Sequence, residues 1–306
     1  MGTIYAYLYA TRPWSWTASI ISVLVAHVLT ASPGNFFNLT LLNSIFLGAA
    51  VQCLANLVNT YFDNLNKVDT KNMSGGDRAL VDGKVSPGGV VVLSIAMLVL
   101  STLLALPLIT QHSNSNSNRD DFTNNDMLVL FIVGVFLALT YTASPFNLKY
   151  YAMGDVVIMT AFGPCLMQFV SYVNSGVMNE EVTLFSIPIM LVTEAILHAN
   201  NTRDIKSDAK SGATTLAVLF GFDNSVRFYT FLIAGAYVST LWLALTRHIG
   251  LLIVFLTVPQ ALGLVKGISE NNQKKLANVD ESTAQFHMPF GILMVVGTAG
   301  DKAYLE

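Results

Sequence analysis

Charge is what this 306-residue sequence lacks: only 11% of its residues are Asp, Glu, Lys or Arg, against roughly 25% in a soluble domain. That shortage excludes a water-soluble globular chain of ordinary composition. Cysteine is scarce too. Cys53 and Cys165 are the two in the chain, both lie in apolar runs, and neither has a neighbour at disulfide or metal-ligand spacing, so they read as packing residues. A net charge of −3 decides nothing by itself about nucleic acid. No cleavable signal peptide is expected, because the first apolar run, from Trp14, is long enough to span and has no small-residue cleavage pattern.

What the chain has instead is apolar length. It is 53% hydrophobic, with a mean hydropathy of +0.55. A spanning helix needs about 20 mostly apolar residues, and nine stretches meet that: 14–31, 41–63, 88–109, 127–145, 152–174, 182–203, 225–246, 249–268 and 284–300. The expected fold is all-α, a polytopic membrane protein of about nine transmembrane helices forming one domain over residues 1–306. The run ATTLAVLFGF (213–222) is too short to span and reads as a re-entrant or interfacial piece. The tract QHSNSNSNRDDFTNND (111–126) is low in complexity and reads as an exposed loop. With nine spans, thirteen of the sixteen Lys and Arg residues fall on one side. The positive-inside rule then puts the N-terminus in the cytosol.

The second and sixth of these helices finish on that same side, and both finish in carboxylates. The first end carries Asn59, Asp63 and Asp69; the other, HANNTRDIKSD, carries Asn200, Asp204 and Asp208. In each, an Asn precedes an Asp by four residues, so the two lie one turn apart on one helix face. Carboxylates at a helix C-terminus oppose the macrodipole, and two such clusters repel each other. Divalent cations between them remove both costs. Oxygen donors favour Mg²⁺, which shares its remaining positions with phosphate groups, so the pair points to a diphosphate held through magnesium.

Basic residues stand nearby to neutralise such a leaving group: Arg12 in RPW, Arg78 in GGDRALVDG, Lys149 in NLKYY and Arg203 inside the second motif. Each alone also reads as a snorkelling or topology residue. Glu194 sits within a span, and an intramembrane carboxylate is a candidate functional group; an interhelical hydrogen bond is its other reading. His198 follows one turn along the same face. Tyr141, ending the fourth span, is either an interfacial anchor or a ring facing an electron-poor intermediate.

NLVNTYFDNLNKVD, the DRALVD after it, and TEAILHANNTRDIKSDAKSGATTLA resemble the two signature regions of the UbiA-type intramembrane aromatic prenyltransferases. RPWSWTAS and YTASPFNLKYYAMGDVVIMTAFGP resemble the animal, menaquinone-4-forming branch of that superfamily. The resemblance covers nearly the whole chain. It implies helices around a central cavity, with Mg²⁺ bridging the Asp motifs to an isoprenyl diphosphate, geranylgeranyl in this branch. Asn59, Asp63 and Asp69 match the first motif, Asp204 and Asp208 match the second, and Asn200 and Asn201 fall within the second region. The acceptor implied is a hydroquinone-type aromatic ring, with Asp155 one candidate for the base that deprotonates it. The bilayer is the other partner, endomembranes (endoplasmic reticulum and Golgi) with mitochondria besides are the implied location, and no nucleic acid is expected.

Many superfamily members have Asp-x3-Asp in the first motif; the longer spacing here is that of the animal branch. Gly75 and Gly76 stand before Asp77, where the branch usually has polar or acidic residues, so any metal-holding carboxylate there is missing. Two other readings stay open. Another UbiA-type transfer, such as 4-hydroxybenzoate prenylation for ubiquinone, shares the metal site and differs in its acceptor pocket. A secondary transporter also pairs acidic helix ends, although usually near the midplane.

Overall fold

The computed structural model describes residues 3–32, 34, 36–68, 79–111, 122–270 and 276–305. Asp69, Gly75, Gly76, Asp77, Arg78 and most of the 111–126 tract lie outside them. The described residues fold as helices: α1 Thr3–Ala10, α2 Thr17–Thr30, α3 Leu39–Leu65, α4 Pro87–Thr110, α5 Phe122–Thr140, α6 Gly154–Thr160, α7 Leu166–Ser175, α8 Glu180–Ser211, α9 Leu216–Thr246, α10 Val258–Ser269 and α11 Val279–Leu305. Each of the nine expected runs is helical over most of its length. Seven stretches among the described residues are long and apolar enough to cross a bilayer; α5 contributes a shorter apolar stretch, Asn125–Thr140.

Local chemistry sets the ends of these helices. Asn38 caps α3 by accepting from the Leu41 N–H at 2.7 Å. Ser86 caps α4 with Pro87 in its first turn, a position where the missing proline N–H costs nothing. Asn179 accepts from Glu181 and Val182 at the start of α8, where Glu180 and Glu181 complement the dipole. Gly212, at φ 82°, ends that helix; left-handed backbone there suits glycine.

Packing divides the helices into a lipid-facing shell and a core. On α4, Val92, Ile95, Val99, Leu103 and Leu106 recur every three or four residues and are all more than half exposed. Large apolar side chains on one outward stripe suit a lipid solvent rather than water. Facing inward, α2, α8, α9 and α11 share a core that buries Phe185, Tyr229, Phe286 and Phe290.

Three departures from the expected helices shape the interior. Residues 152–174 form two helices, α6 and α7, joined by a wider π turn over Ala161–Cys165, with Gly163 non-helical at ψ −108°. A Cβ on Gly163 would lie 2.9 Å from the Met190 Cβ of α8, so only glycine admits this approach. The bend displaces carbonyls from the helical ladder, and Ser22 donates to one of them, Phe162 O, at 2.7 Å. Secondly, residues 216–222 enter α9 as a short helical piece that breaks at Gly221, φ 71°. Thirdly, α8 runs for 32 residues, about 48 Å at 1.5 Å per residue, well beyond a hydrocarbon core of about 30 Å. Its last turns carry Asp204 and Asp208.

Candidate active site

A cavity of about 200 Å³ opens between α3, α5, the α6–α7 bend and α8, and it has two kinds of wall. Asn59 from the first motif and Asn200 from the second both line it, with Arg12, Tyr141, Lys149 and Asp280. The rest of the lining is mostly apolar, including Leu47, Val51, Phe131, Phe162 and Phe169. Polar groups from both motif helices thus share one cavity with a mostly apolar lining. Such a shape accepts a ligand that is polar at one end and apolar along its length.

The N-terminal segment is tied to α3 by a polar stripe. Gln52 donates to Ser15 O at 2.6 Å and accepts from the Ser19 N–H at 3.2 Å. Asn56 donates to Thr11 O at 2.8 Å, and Arg12 Nη2 donates to Asn59 Oδ1 at 2.7 Å. Gln52, Asn56, Asn59 and Asp63 follow the i, i+4, i+7, i+11 pattern of one helix face. Gln52 and Asn56 also line the cavity. A motif that begins at Asn59 misses them, although the spacing is legible.

At the end of α3, Asp63 is 2% exposed and accepts two bonds from the α5–α6 connection. Lys149 Nζ lies 2.7 Å from Oδ2, and the Tyr150 hydroxyl 2.6 Å from Oδ1. That connection is held in place at both ends. The Lys149 N–H donates to Tyr141 O at 2.8 Å, and the Thr214 N–H donates to Tyr150 O at 3.2 Å. The second motif's loop and the first motif's partner are therefore stitched together. Tyr150 is not among the expected site residues; nothing in its sequence neighbourhood separates it from Tyr151, which is 68% exposed.

Arg203 holds the second motif. Its Nε and Nη2 donate to the two oxygens of Asp204 at 2.9 and 2.7 Å, its Nη1 to Asp280 Oδ1 at 2.6 Å, and its Nη2 also to Asn200 Oδ1 at 2.6 Å. The guanidinium expected beside a diphosphate is here committed to carboxylates. Asp280, from the start of α11, is another residue that the sequence motifs miss; the acidic pair in NVDEST resembles any helix N-terminus. One turn beyond Asp204, Asp208 is 3% exposed. Its carboxylate accepts no side-chain hydrogen bond among the described residues, and it lies within electrostatic reach of Lys149, Asp204, Asp63 and Arg203. Asn201 is buried, and its Oδ1 has no partner among the described residues.

Asp63, Asp204, Asp208 and Asn59 offer oxygen donors alone, and of the four Asn59 lines the cavity. Asp63 already takes a cation, Lys149, and Asp208 is a buried carboxylate with no bonding partner of its own among the described residues. The unpartnered Asp208 fits a divalent ion, which would supply the missing charge; at Asp63 such an ion would share the carboxylate with Lys149. Asp69 and Arg78 lie outside the described residues.

The remaining expected residues meet nearby. Tyr141 lines the cavity, and a Cβ on Gly154 would lie 3.2 Å from its Cε2, so the phenol packs closely on the start of α6. Asp155 follows there, buried, with His198 Nδ1 3.4 Å from its Oδ1. Glu194 is fully buried, and neither carboxylate oxygen has a hydrogen-bond partner among the described residues. Asp155 on α6 stands close enough to share a hydrogen bond with it once one of the two carboxyls carries a proton, so an interhelical hydrogen bond, one of its two readings, has a partner there.

Known proteins show what this chain is similar to. The profile of the UbiA prenyltransferase family matches residues 19–288. A Dictyostelium discoideum protein named UbiA prenyltransferase domain-containing protein 1 is 34% identical over 291 residues, covering 94% of this chain and 85% of that one. The protein of that name from Gallus gallus is 32% identical over 293 residues, covering 95% and 84%. Among solved structures, a UbiA homolog from Archaeoglobus fulgidus bound to GPP and Mg²⁺ superposes with a TM-score of 0.67 at 18% identity, covering 97% of this chain and 98% of that one. The apo UbiA homolog from Aeropyrum pernix K1 gives 0.67 at 14% identity, with the same coverage. At those identities the structural likeness speaks for the fold.

Proposed function

The chain belongs to the UbiA prenyltransferase family and is an integral, multi-pass membrane prenyltransferase; from that premise, we propose that it transfers a geranylgeranyl group from its diphosphate to a naphthoquinol-type ring, in menaquinone biosynthesis. The observation that carries the reading is the two-part cavity, lined by Asn59 and Asn200 at its polar end and by Leu47, Phe131 and Phe169 along its apolar wall. An isoprenyl diphosphate has the same two parts. The Archaeoglobus fulgidus homolog, bound to GPP and Mg²⁺, supports this donor class, and the animal-type sequence words support the naphthoquinol acceptor. The polar end faces the cytosol of an endomembrane in this reading.

Asn59, Asp63, Asp69, Asp204 and Asp208 would hold Mg²⁺, which when bound neutralises charge on the leaving diphosphate. The protein's own groups do the rest. Lys149 and Arg12 bring positive charge to the polar end, with Arg78 as a third candidate, and stabilise the oxygen that departs from C1. Arg203 keeps Asp204, Asp280 and Asn200 in register. The apolar wall takes the tail and excludes water from an allylic centre that water would trap. The Tyr141 ring, in the cavity wall, offers its π system to the cation that develops there. The electron-rich acceptor ring then attacks C1 and loses a proton.

The test is an acceptor panel. Detergent-solubilised protein with Mg²⁺ and radiolabelled geranylgeranyl diphosphate is offered reduced menadione, 1,4-dihydroxy-2-naphthoate and 4-hydroxybenzoate. Label moving to a naphthoquinol is the expected result. Label moving to 4-hydroxybenzoate alone would replace this acceptor with a ubiquinone-type one, and no transfer in a preparation that binds the diphosphate would contradict the acceptor class.

A further inference from the structure

Beside Tyr141, three ionisable side chains without a role in holding the donor meet in the interior. They are Asp155 on α6 and, one turn apart on α8, Glu194 and His198, which are 3%, 0% and 0% exposed. One donor or acceptor atom from each lies within 4.8 Å of the others. His198 Nε2 is 3.1 Å from Ser225 O on α9. A carbonyl only accepts, so Nε2 carries a proton and Nδ1, 3.4 Å from Asp155 Oδ1, is left as a lone pair in the neutral ring. Phe228 covers the imidazole edge-on at 4.8 Å between ring centroids.

Three acceptors therefore face one another: two carboxyl groups and an imidazole nitrogen. Neither oxygen of Glu194 has a donor among the described residues. With both carboxylates ionised the cluster carries a charge of −2 in a sealed interior, where an unpaired charge is very costly. One proton, on Glu194 and donated to Asp155, reduces that to −1. A second, placed between Asp155 and His198, brings it to zero and gives the Asp155–His198 contact its proton. A cluster that is one proton short of neutrality is a base. The 3.4 Å separation of Asp155 and His198 leaves room for a bridging proton, and an imidazole donor is foreign to the magnesium chemistry of the motif carboxylates.

The cluster also adjoins the cavity. Tyr141 lines it, its hydroxyl lies 3.6 Å from the position of a Cβ on Gly154, and it is within electrostatic reach of both Asp155 and Glu194. We propose that Asp155, Glu194 and His198 form a buried proton-accepting unit that takes up, by way of the Tyr141 hydroxyl, the proton the acceptor ring loses. This rests on the aromatic-acceptor reading above. As the ring carbon's electron pair bonds to C1, the C1–O bond breaks and its electrons leave on the diphosphate. The ring carbon then holds both the isoprenyl group and its former hydrogen. That C–H bond breaks, its electrons restore the aromatic ring, and the proton passes to the Tyr141 oxygen while Tyr141 gives its own to Asp155. It comes to rest on His198 Nδ1, and Glu194 keeps Asp155 oriented as a positioning residue.

The experiment compares acceptor carrying hydrogen or deuterium at the attacked carbon, using the full chain, geranylgeranyl diphosphate and Mg²⁺. Wild-type protein turns over both at the same rate, because proton loss follows the slow ionisation. In Asp155→Asn and His198→Gln, kcat falls by roughly 10²–10⁴-fold, the usual span for a general base, KM for the diphosphate is unchanged, and a primary isotope effect appears. Mg²⁺-dependent binding of the diphosphate certifies that each variant is folded, and Glu194→Gln is read in the same way if either loses it. A slower variant without an isotope effect, or an unchanged rate, would overturn the proposal. So would a stoichiometric transition-metal ion in the wild type that Glu194→Gln loses. Absence of any prenylated aromatic product from wild-type protein is a separate outcome, and it would remove the acceptor reading and this unit together.

Discussion

Lys149 Nζ stands 2.7 Å from Asp63 Oδ2, with both side chains nearly excluded from solvent. A cation from the α5–α6 connection thus neutralises the first acidic motif, while lying within electrostatic reach of Asp208 in the second. The two motifs meet around a positive charge of the protein's own. A divalent ion bound there adds to, or competes with, that charge.

Removing the lysine exposes the competition. Lys149→Met takes from buried Asp63 its cation and leaves it the Tyr150 hydroxyl, and breaking a buried pair costs roughly 3–5 kcal/mol. Thermal unfolding in detergent with EDTA should show a markedly lower Tm than wild type, and Mg²⁺ should recover more of it in the variant than in wild type. An equal response to Mg²⁺ would mean that the ion does not meet Asp63.

Arg203 is the corresponding brace of the second motif, bonded at once to Asn200, Asp204 and Asp280. Arg203→Ala strands two carboxylates and should destabilise by about 3–5 kcal/mol. Adding Asp280→Asn should return part of the loss, because coupled neighbours are not additive. Arg203→Lys, with no bidentate fork to offer Asp204, should fall between. Additive effects of Arg203→Ala and Asp280→Asn would show that the two do not act as one brace.

The apolar wall predicts donor length. Gly134 lines the cavity, and a Cβ there would meet only Cys165 Sγ, at 3.9 Å. Gly134→Leu therefore sets a side chain into the cavity wall at a position where its Cβ is accommodated. It should raise KM for geranylgeranyl diphosphate by about tenfold, the scale of one or two mispacked methylenes, and leave shorter isoprenyl donors less affected. Equal effects on short and long donors would place the tail elsewhere.

Much of this architecture is legible in the sequence because lipid imposes a simple code. Apolar length marks the helices, and the paired Asn-x3-Asp spacings mark where two of them end. Cross-chain pairing is not coded locally. Tyr150 becomes a partner of Asp63 only through the turn that follows α5, and Asp280 becomes one of Arg203 only because α11 begins beside α8. The split of residues 152–174 has a signal in AFGP, where glycine and proline adjoin within an apolar run, but length alone favours one unbroken helix. The stripe from Gln52 to Asp63 is equally readable; its upper half is easily passed over because amides inside a span attract less notice than carboxylates at its end.

The most direct test of the two-motif metal site is the initial rate of geranylgeranyl transfer by Asp208→Asn at saturating Mg²⁺. Asp208 is buried on the second motif with no bonding partner of its own among the described residues, and its only assigned role is to hold the ion that neutralises the departing diphosphate. The expected result is a fall of roughly 10²–10³-fold, as for loss of a group that stabilises transition-state charge, with the protein still folded and still able to accept the isoprenyl tail. A rate within about twofold of wild type, less than about 0.5 kcal/mol of barrier, would contradict the two-motif metal site.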